Sequence, residues 1–412
     1  MAESPSYDLL VIGGGMVGAT LAAACAGQGL KIAVLEARLP VRAWPSDDID
    51  QRVSALNRAS QRILTRLGVW ERICALGVSP YRDMRVWDAI GGGAIHFDSA
   101  DLGEADLGHI VENRVIQLAL WEHLEHCPDV ELIAPARISD LELGERRAEV
   151  TLHDGRRLAA RLLVGADGRD SLVRDLAGIE TQGWDYDQRA IVAHVRTALP
   201  HQETAWQRFL PSGPLAFLPL ADGRCSIVWS AEETRCEELL ALDDQAFAAA
   251  LGEAFGERLG DILAVGTRAS FRLRLQHAQA YCRERLALVG DAAHALHPLA
   301  GQGLNLGMLD AAELAAAIAR ARERRRDIGG RAALRRYERA RRGDNLVMLA
   351  AMDGFKRLFG NELPPLAALR SLGLNLTDRA GPVKGHLTAA AMGLLGELPP
   401  LAQQWAPPMP SK

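Results

Sequence analysis

The chain has 412 residues, enough for two domains. Its 48% hydrophobic and 24% charged content is that of an ordinary globular protein, and a net charge of −5 argues against nucleic acid as a partner, which needs concentrated positive charge. Six scattered cysteines form no CxxC or CxxH pair, so neither a zinc site nor a disulfide framework is expected, and a reducing compartment is.

No basic-then-apolar signal opens the chain, and no window reaches ~18 uncharged apolar residues. Tyr7 to Ile12 reads as a buried parallel strand. It runs into Gly13-Gly14-Gly15-Met16-Val17-Gly18. An Ala-rich helix from Ala19 to Gln28 follows, closed by Gly29, and a second strand, Lys31 to Leu35, ends at Glu36. This is GxGxxG in the frame that gives it meaning. Gly13 allows the tight turn and Gly15 lets the backbone approach a pyrophosphate. Gly18 lets helix and strand pack closely, and Glu36 can accept from a ribose hydroxyl. A purely structural βαβ turn would use the same frame.

Arg38 to Asp50 is a polar loop. Arg52 to Asn57 leads into a helix from about Ala59 to Leu67, so Arg52 sits at a helix entrance, where it either meets a diphosphate or is solvated. Met84 to Phe97, with Gly91-Gly92-Gly93, reads as a hairpin, and Val115 to His126 as a helix. Val130 to Ile133 and Ala148 to Leu152 bracket a meander. The strand Leu158 to Val164 ends in Gly165-Ala166-Asp167-Gly168, where Asp167 can contact a ligand, cap the following turn, or do both. Residues 182 to 275 change to short strands (Ile191–Arg196, Trp206–Leu210, Leu215–Pro219, Cys225–Trp229) with one helix, Asp243 to Phe255. Trp184, Tyr186, Trp206, Phe209, Phe217 and Trp229 here are either core or pocket wall.

The apolar run Leu286 to Val289 ends in Gly290-Asp291-Ala292-Ala293-His294. A glycine-dense stretch, His297-Pro298-Leu299-Ala300-Gly301-Gln302-Gly303-Leu304-Asn305-Leu306-Gly307, precedes an Ala/Leu helix from Met308 to Ala319. Strand, glycine turn and helix N-terminus together offer backbone N–H groups to an anionic or polar-ringed ligand. The arginine-rich segment from Arg320 to Arg342 is either a solvated face or a patch for an anionic surface. Three apolar helical stretches follow, Leu346 to Phe359, Pro364 to Leu374 and Leu387 to Leu395. The last is too short to span a bilayer but long enough to lie on one.

Taken in this order, the three glycine motifs resemble those of the group A FAD-dependent aromatic hydroxylases, flavin monooxygenases related to p-hydroxybenzoate hydroxylase. Within them, Arg52 to Leu56, Ile110 to Asn113 and His297 to Gly307 resemble the ubiquinone-biosynthesis hydroxylases, and the resemblance spans about residues 5 to 385. It implies an α/β fold, with a Rossmann-like FAD-binding domain (1–80, 108–180 and 276–345), an inserted mixed β-sheet substrate domain (81–107 and 181–275) and C-terminal helices (346–412).

For the cofactor, the resemblance implies FAD with its pyrophosphate on Gly13, Gly15 and Gly18 and its adenosine ribose on Glu36. Arg52 would lie along it, with Asn113 or Gln117 touching it. Asp167 would serve both FAD and NAD(P)H, and Asp291 the ribityl and diphosphate region. Pro298, Gly301, Gln302, Gly303, Leu304 and Asn305 would border the flavin ring. With only one GxGxxG in the chain, NADPH or NADH is expected to visit transiently, and O2 is the co-substrate. The implied substrate is a polyprenylated phenol, hydroxylated through a flavin C4a-hydroperoxide. Phenol activation wants a base or acceptor. His294 and His297, the latter beside Pro298 at the flavin edge, are nearest by sequence, and each equally suits merely holding the loop. Accessory proteins of ubiquinone biosynthesis, homo-oligomers, and a cytoplasmic location with peripheral inner-membrane contact complete the implied picture. Hydroxylation of a soluble aromatic and prenyl reduction or dehydrogenation are the competing activities.

Overall fold

Two sheets and the helices between them organise the molecule. The structure, a computed structural model, describes residues 7–45, 47–295, 302–360 and 363–404. The first sheet has eight strands. Its parallel heart runs Leu286–Leu288, Arg157–Gly165, Tyr7–Ile12, Ile32–Leu35 and Val130–Ile133. These strands are apolar on both faces, and Leu9, Leu10, Val11, Leu162, Leu163 and Val164 are fully buried. Met16–Cys25 and Gln302–Glu323 pack against each other on this core, and the contact is tight: a Cβ at Gly307 would stand 2.7 Å from Val17 Cγ2.

The second sheet has nine strands and is mostly antiparallel. It includes the hairpin Asp83–Asp88 and Ala94–Asp98, joined in parallel to Thr204–Leu210. Thr181–Thr197 is one long strand, pairing with both Cys225–Glu232 and Ala269–Ala278. A short third sheet, Val53–Leu56, Gly108–Glu112 and Ser79–Tyr81, bridges the other two.

Four readings need correction. The helix expected from Met308 to Ala319 runs Gln302–Glu323, so the glycine-dense stretch is helical from Gln302 onward. Arg52 is not at a helix entrance: Val53–Leu56 is a strand, and the helix Arg58–Arg66 begins only after Asn57, whose side chain accepts from Ser60 N. A second helix, Glu233–Ala241, precedes Asp244–Phe255 in the sheet region. The arginine-rich segment is not uniformly solvated, because Arg341 is 3% exposed and paired with buried Asp310.

The aromatic residues divide by strand alternation. Trp206 pairs with Phe217, Phe217 with Ile227, and Leu215 with Trp229 across neighbouring strands. All face Phe247 and Phe255 of the overlying helix and form a separate core. Phe209 stacks on Phe359 at 4.1 Å between ring centroids. Of these six, Trp184 and Tyr186 line an open crevice, where the Tyr186 hydroxyl donates to Asp353 and Arg357 lies over the Trp184 ring. No helix among the described residues is long and apolar enough to cross a membrane.

Candidate functional site

Three neighbouring parallel strands deliver three turns to one place. Tyr7–Ile12 pairs with Arg157–Gly165, which pairs with Leu286–Leu288, and each strand ends in a glycine turn at the same edge of the sheet. The turns are stitched together by Ala166 N to Ile12 O at 2.7 Å and Val289 N to Gly165 O at 3.0 Å. The carboxyl edge of an open parallel sheet is where such folds bind ligands.

The glycines of the first turn have different tasks. Gly13 has φ of +107°, and a Cβ there would stand 2.3 Å from Ala166 O. At Gly18 a Cβ would stand 1.9 Å from Gly13 O. At Gly15 it would meet nothing within 4 Å. Gly15 is also the N-cap of Met16–Cys25, which has no side-chain cap and no acid in its first turn. The open cradle therefore faces uncapped N–H groups at the positive end of a helix dipole, which suits a pyrophosphate.

Gly14 is fastened from behind. Its carbonyl accepts from Trp121 Nε1 at 2.7 Å and Gln117 Nε2 at 3.2 Å, and its N–H donates to Glu36 Oε2 at 2.7 Å. Glu36 Oε1 also accepts from Arg38 N, so its carboxylate ties the first turn to the end of the Ile32–Leu35 strand. Gln117 thus acts on the turn through its backbone. Trp121 was not foreseen, although it lies one helical turn after Gln117 on the same face.

Asp167 accepts from Ser171 Oγ at 2.6 Å and from Val173 N, tying its turn to the helix Leu172–Leu176. Burial raises its carboxyl above the usual range, countered in part by those donors. Arg52 is exposed, with its guanidinium over the Phe271 ring at 5.7 Å. Asn113 Oδ1 accepts from Ser54 Oγ.

Asp291 lies on the short turn Gly290–Ala292, and a Cβ at Gly303 would stand 4.0 Å from its Oδ1. The third turn therefore meets the start of Gln302–Glu323, where Leu304 packs on the core. Asn305 is 1% exposed, and its side chain is spent on the protein. It accepts from Asn57 N and Ser60 Oγ and donates to Ala55 O at 2.8 Å. This clamp draws the Val53–Leu56 strand against the helix start. His297, Pro298 and Gly301 lie outside the described residues.

Beyond that strand is an apolar cavity of about 190 Å³. Val53, Ala55 and Ile110 line one side, and Ala205, Ala216 and Val228, on the face of the large sheet opposite the aromatic core, line another. Thr388, Ala391 and Met392 close it. Its polar atoms come from Gln207, Ser230, Tyr81 and Thr388. Burial pushes the Tyr81 phenol up to about 12. The described lining therefore contains no carboxylate and no histidine. His294 does not reach it: its side chain is fully buried, with Nε2 on Asp310 Oδ2 at 2.5 Å.

Burial lowers His109, His123, His194 and His277, the last to about 4, with the His294 and Arg342 charges adding to the effect at His277. An unfolded histidine titrates near about 6.5 and takes up protons that the folded form refuses. Stability is thus expected to fall as pH drops from about 6.5 toward 4, before the lowered carboxylates Asp88, Asp310 and Asp327 lose their contribution at still lower pH. Thermal midpoints recorded from pH 7 to 4.5 check this, and a flat profile refutes it.

Residues 6–348 match the family model described as FAD binding domain. The chain is 41% identical over 402 residues to "Ubiquinone hydroxylase UbiL" of Rhodospirillum rubrum, covering 97% of this chain and 93% of that protein. It is 38% identical over 394 residues to "3-demethoxyubiquinol 3-hydroxylase" of Escherichia coli, covering 96% and 100%. Among solved structures, p-nitrophenol 4-monooxygenase from Pseudomonas putida superposes with a TM-score of 0.77 at 21% identity, over 95% of this chain and 98% of that one, a likeness of fold.

Proposed function

Because this chain belongs to the FAD-binding-domain family, and within it to the ubiquinone-biosynthesis hydroxylases, we propose that it is an FAD-dependent monooxygenase hydroxylating the ring of a polyprenylated phenol. Two observations carry this reading: an anion-ready glycine turn, and an apolar cavity whose Val53–Leu56 wall the Asn305 clamp holds against the start of Gln302–Glu323. In this reading the parts comprising 1–80, 108–180 and 276–345 hold FAD, and those comprising 81–107 and 181–275 receive the ring.

FAD, reduced by transient NADPH or NADH, supplies the activation of O2. The residues supply place and environment. Gly15 and the first turn of Met16–Cys25 hold the pyrophosphate, Glu36 the ribose, and Asp291 the middle of the cofactor. Arg52 and Asp167 flank it, with Gln117 bracing the first turn. Pro298 and Gly301, with Gln302, Gly303, Leu304 and Asn305 at the start of Gln302–Glu323, border the flavin ring. Val53, Ala55, Ala216 and Val228 exclude water from the ring. Gln207 and Ser230 orient the phenol hydroxyl by hydrogen bonds, since an uncharged amide can both donate and accept.

A cavity of this size takes a substituted ring and not a long isoprenoid chain. The tail leaves past Gly381–Ala391, which contributes Thr388 and Ala391 to the cavity wall and exposes Val383 and Leu387 outside. The exposed Leu369, Leu372 and Leu376 extend this apolar face on Pro364–Arg379 and support peripheral contact at the cytoplasmic side of the inner membrane. Accessory proteins of the pathway and homo-oligomers are further partners in this reading.

Oxygen uptake coupled to NAD(P)H oxidation should rise when a prenylated phenol is added. The Ala216→Phe variant, which fills the cavity, should lose at least about tenfold of that stimulation while keeping its flavin. Failure of any phenol to stimulate oxygen uptake would sink the hydroxylase reading in favour of a reductase or dehydrogenase.

A further inference from the structure

Behind the third glycine turn is a buried charged cluster that no step above uses. Asp310, on Gln302–Glu323, is fully buried and accepts four hydrogen bonds. Its Oδ2 receives Gly290 N at 3.1 Å and His294 Nε2 at 2.5 Å. Its Oδ1 receives Arg341 Nε at 2.9 Å and Asn345 Nδ2 at 3.2 Å. Arg341 also donates to Asn345 Oδ1, and Asn345 to the Tyr281 hydroxyl. Burial works against the ionised carboxylate, but His294 and Arg341 outweigh it and hold Asp310 below the usual range. The pair Asp310–Arg341 is thus a compensated buried charge, with a second cation-forming group beside it.

The two groups on Oδ2 give this cluster a direction. Gly290 immediately precedes Asp291, and it has φ of +59° and packs on Val17 of the first glycine-turn helix. His294 opens the two-residue strand His294–Ala295, paired through His277 to the nine-stranded sheet. Asp310 itself stands on the helix that begins at Gln302. One carboxylate therefore ties together the Asp291 turn, the strand His294–Ala295 and the helix Gln302–Glu323.

We propose that Asp310 is a positioning residue for the cofactor: through Gly290 and His294 it sets where the Asp291 carboxylate stands. The inference rests on the FAD reading but not on the hydroxylation or its substrate. Asp310 touches no ligand and acts through the turn, so its effect depends on Asp291 being present.

The test is FAD affinity of the full-length apoprotein, measured by flavin fluorescence well below the thermal midpoint, for the native chain, Asp310→Asn, Asp291→Ala and the double variant. With folding verified by circular dichroism, Asp310→Asn should weaken FAD by roughly 10–100-fold, the range in which outer-shell partners act at metal sites. The double variant should bind no worse than Asp291→Ala alone, because both changes remove one interaction. His294→Gln, which keeps a donor for Asp310, should retain more affinity than His294→Leu, and this pair decides the matter if Asp310→Asn does not fold. Native affinity in folded Asp310→Asn, additive losses in the double variant, or equal affinities in the two His294 variants would each overturn the proposal. A native chain that holds no FAD would overturn the cofactor reading with it.

Discussion

Gly15→Ala should leave the apoprotein folded and yet unable to keep FAD, whereas Gly13→Ala and Gly18→Ala should damage the fold itself. The same motif supplies all three glycines, but the space around them differs. A methyl at Gly18 would lie 1.9 Å from Gly13 O, and one at Gly13 would lie within 2.9 Å of Ala166 O, Ala166 C and Asp167 N. Those are backbone atoms of the turns that end two paired strands, so no side chain can swing away. Gly13 adds a positive φ that an L-residue adopts only with strain. Each of these two changes should cost about 2–4 kcal/mol, read as a lower thermal midpoint of the apoprotein. Gly15 has φ of −67° and no neighbour within 4 Å. Its substitution should cost under about 1 kcal/mol, the scale of an N-cap change. The methyl would instead occupy the cradle where the pyrophosphate must approach, and flavin content should fall to a few per cent of native, on the order of a 100-fold loss of affinity. A Gly15→Ala protein that purifies with full flavin would move the cofactor elsewhere.

Arg370→Ala should be the most destabilising single change in the C-terminal helices. Arg370 is 4% exposed and forms a fork with Asp88, Nε to Oδ2 at 2.8 Å and Nη2 to Oδ1 at 3.0 Å. Its Nη1 also donates to the carbonyls of Leu358 and Phe359, closing the end of Arg331–Phe359. Ser371 Oγ and the Ile90 and Gly91 N–H groups also donate to Asp88. Burial raises the Asp88 carboxyl, but Arg370 together with the Ile90 and Gly91 N–H groups outweighs it and holds Asp88 below the usual range. Removing the guanidinium strands a buried charge at a cost of about 3–5 kcal/mol. Limited proteolysis should then cut between Arg331–Phe359 and Pro364–Arg379, and the thermal midpoint should drop. Replacing both partners by apolar residues, Asp88→Leu with Arg370→Met, should cost less than Arg370→Ala, because no charge is stranded. Equal losses for the two would mean that the helix is held by its other contacts, Asn375 on Ala94 N and Asp378 on His96 N.

The sequence by itself determined the parts of this protein that depend on backbone conformation and side-chain period. A strand, a glycine turn and a helix are encoded within about 30 residues, so Gly13 to Glu36, Gly165 to Gly168 and Gly290 to Asp291 were legible one after another. Short strands in residues 182 to 275 were legible for the same reason, though not the helix Glu233–Ala241, nor which face of the sheet carried the aromatics. Strand parity groups Trp206 apart from Gln207 but does not say which group meets a helix and which a cavity. Only the tertiary structure decided the partners of the buried polar groups. Asn305 meets Asn57 across 248 positions, Arg370 meets Asp88 across 282, and Arg341, in an arginine-rich run that reads as solvated or lipid-facing, meets Asp310 across 31. A buried charge is tolerable only where a counter-charge and donors converge on it. That convergence is a property of the packed elements and leaves no local pattern in the chain.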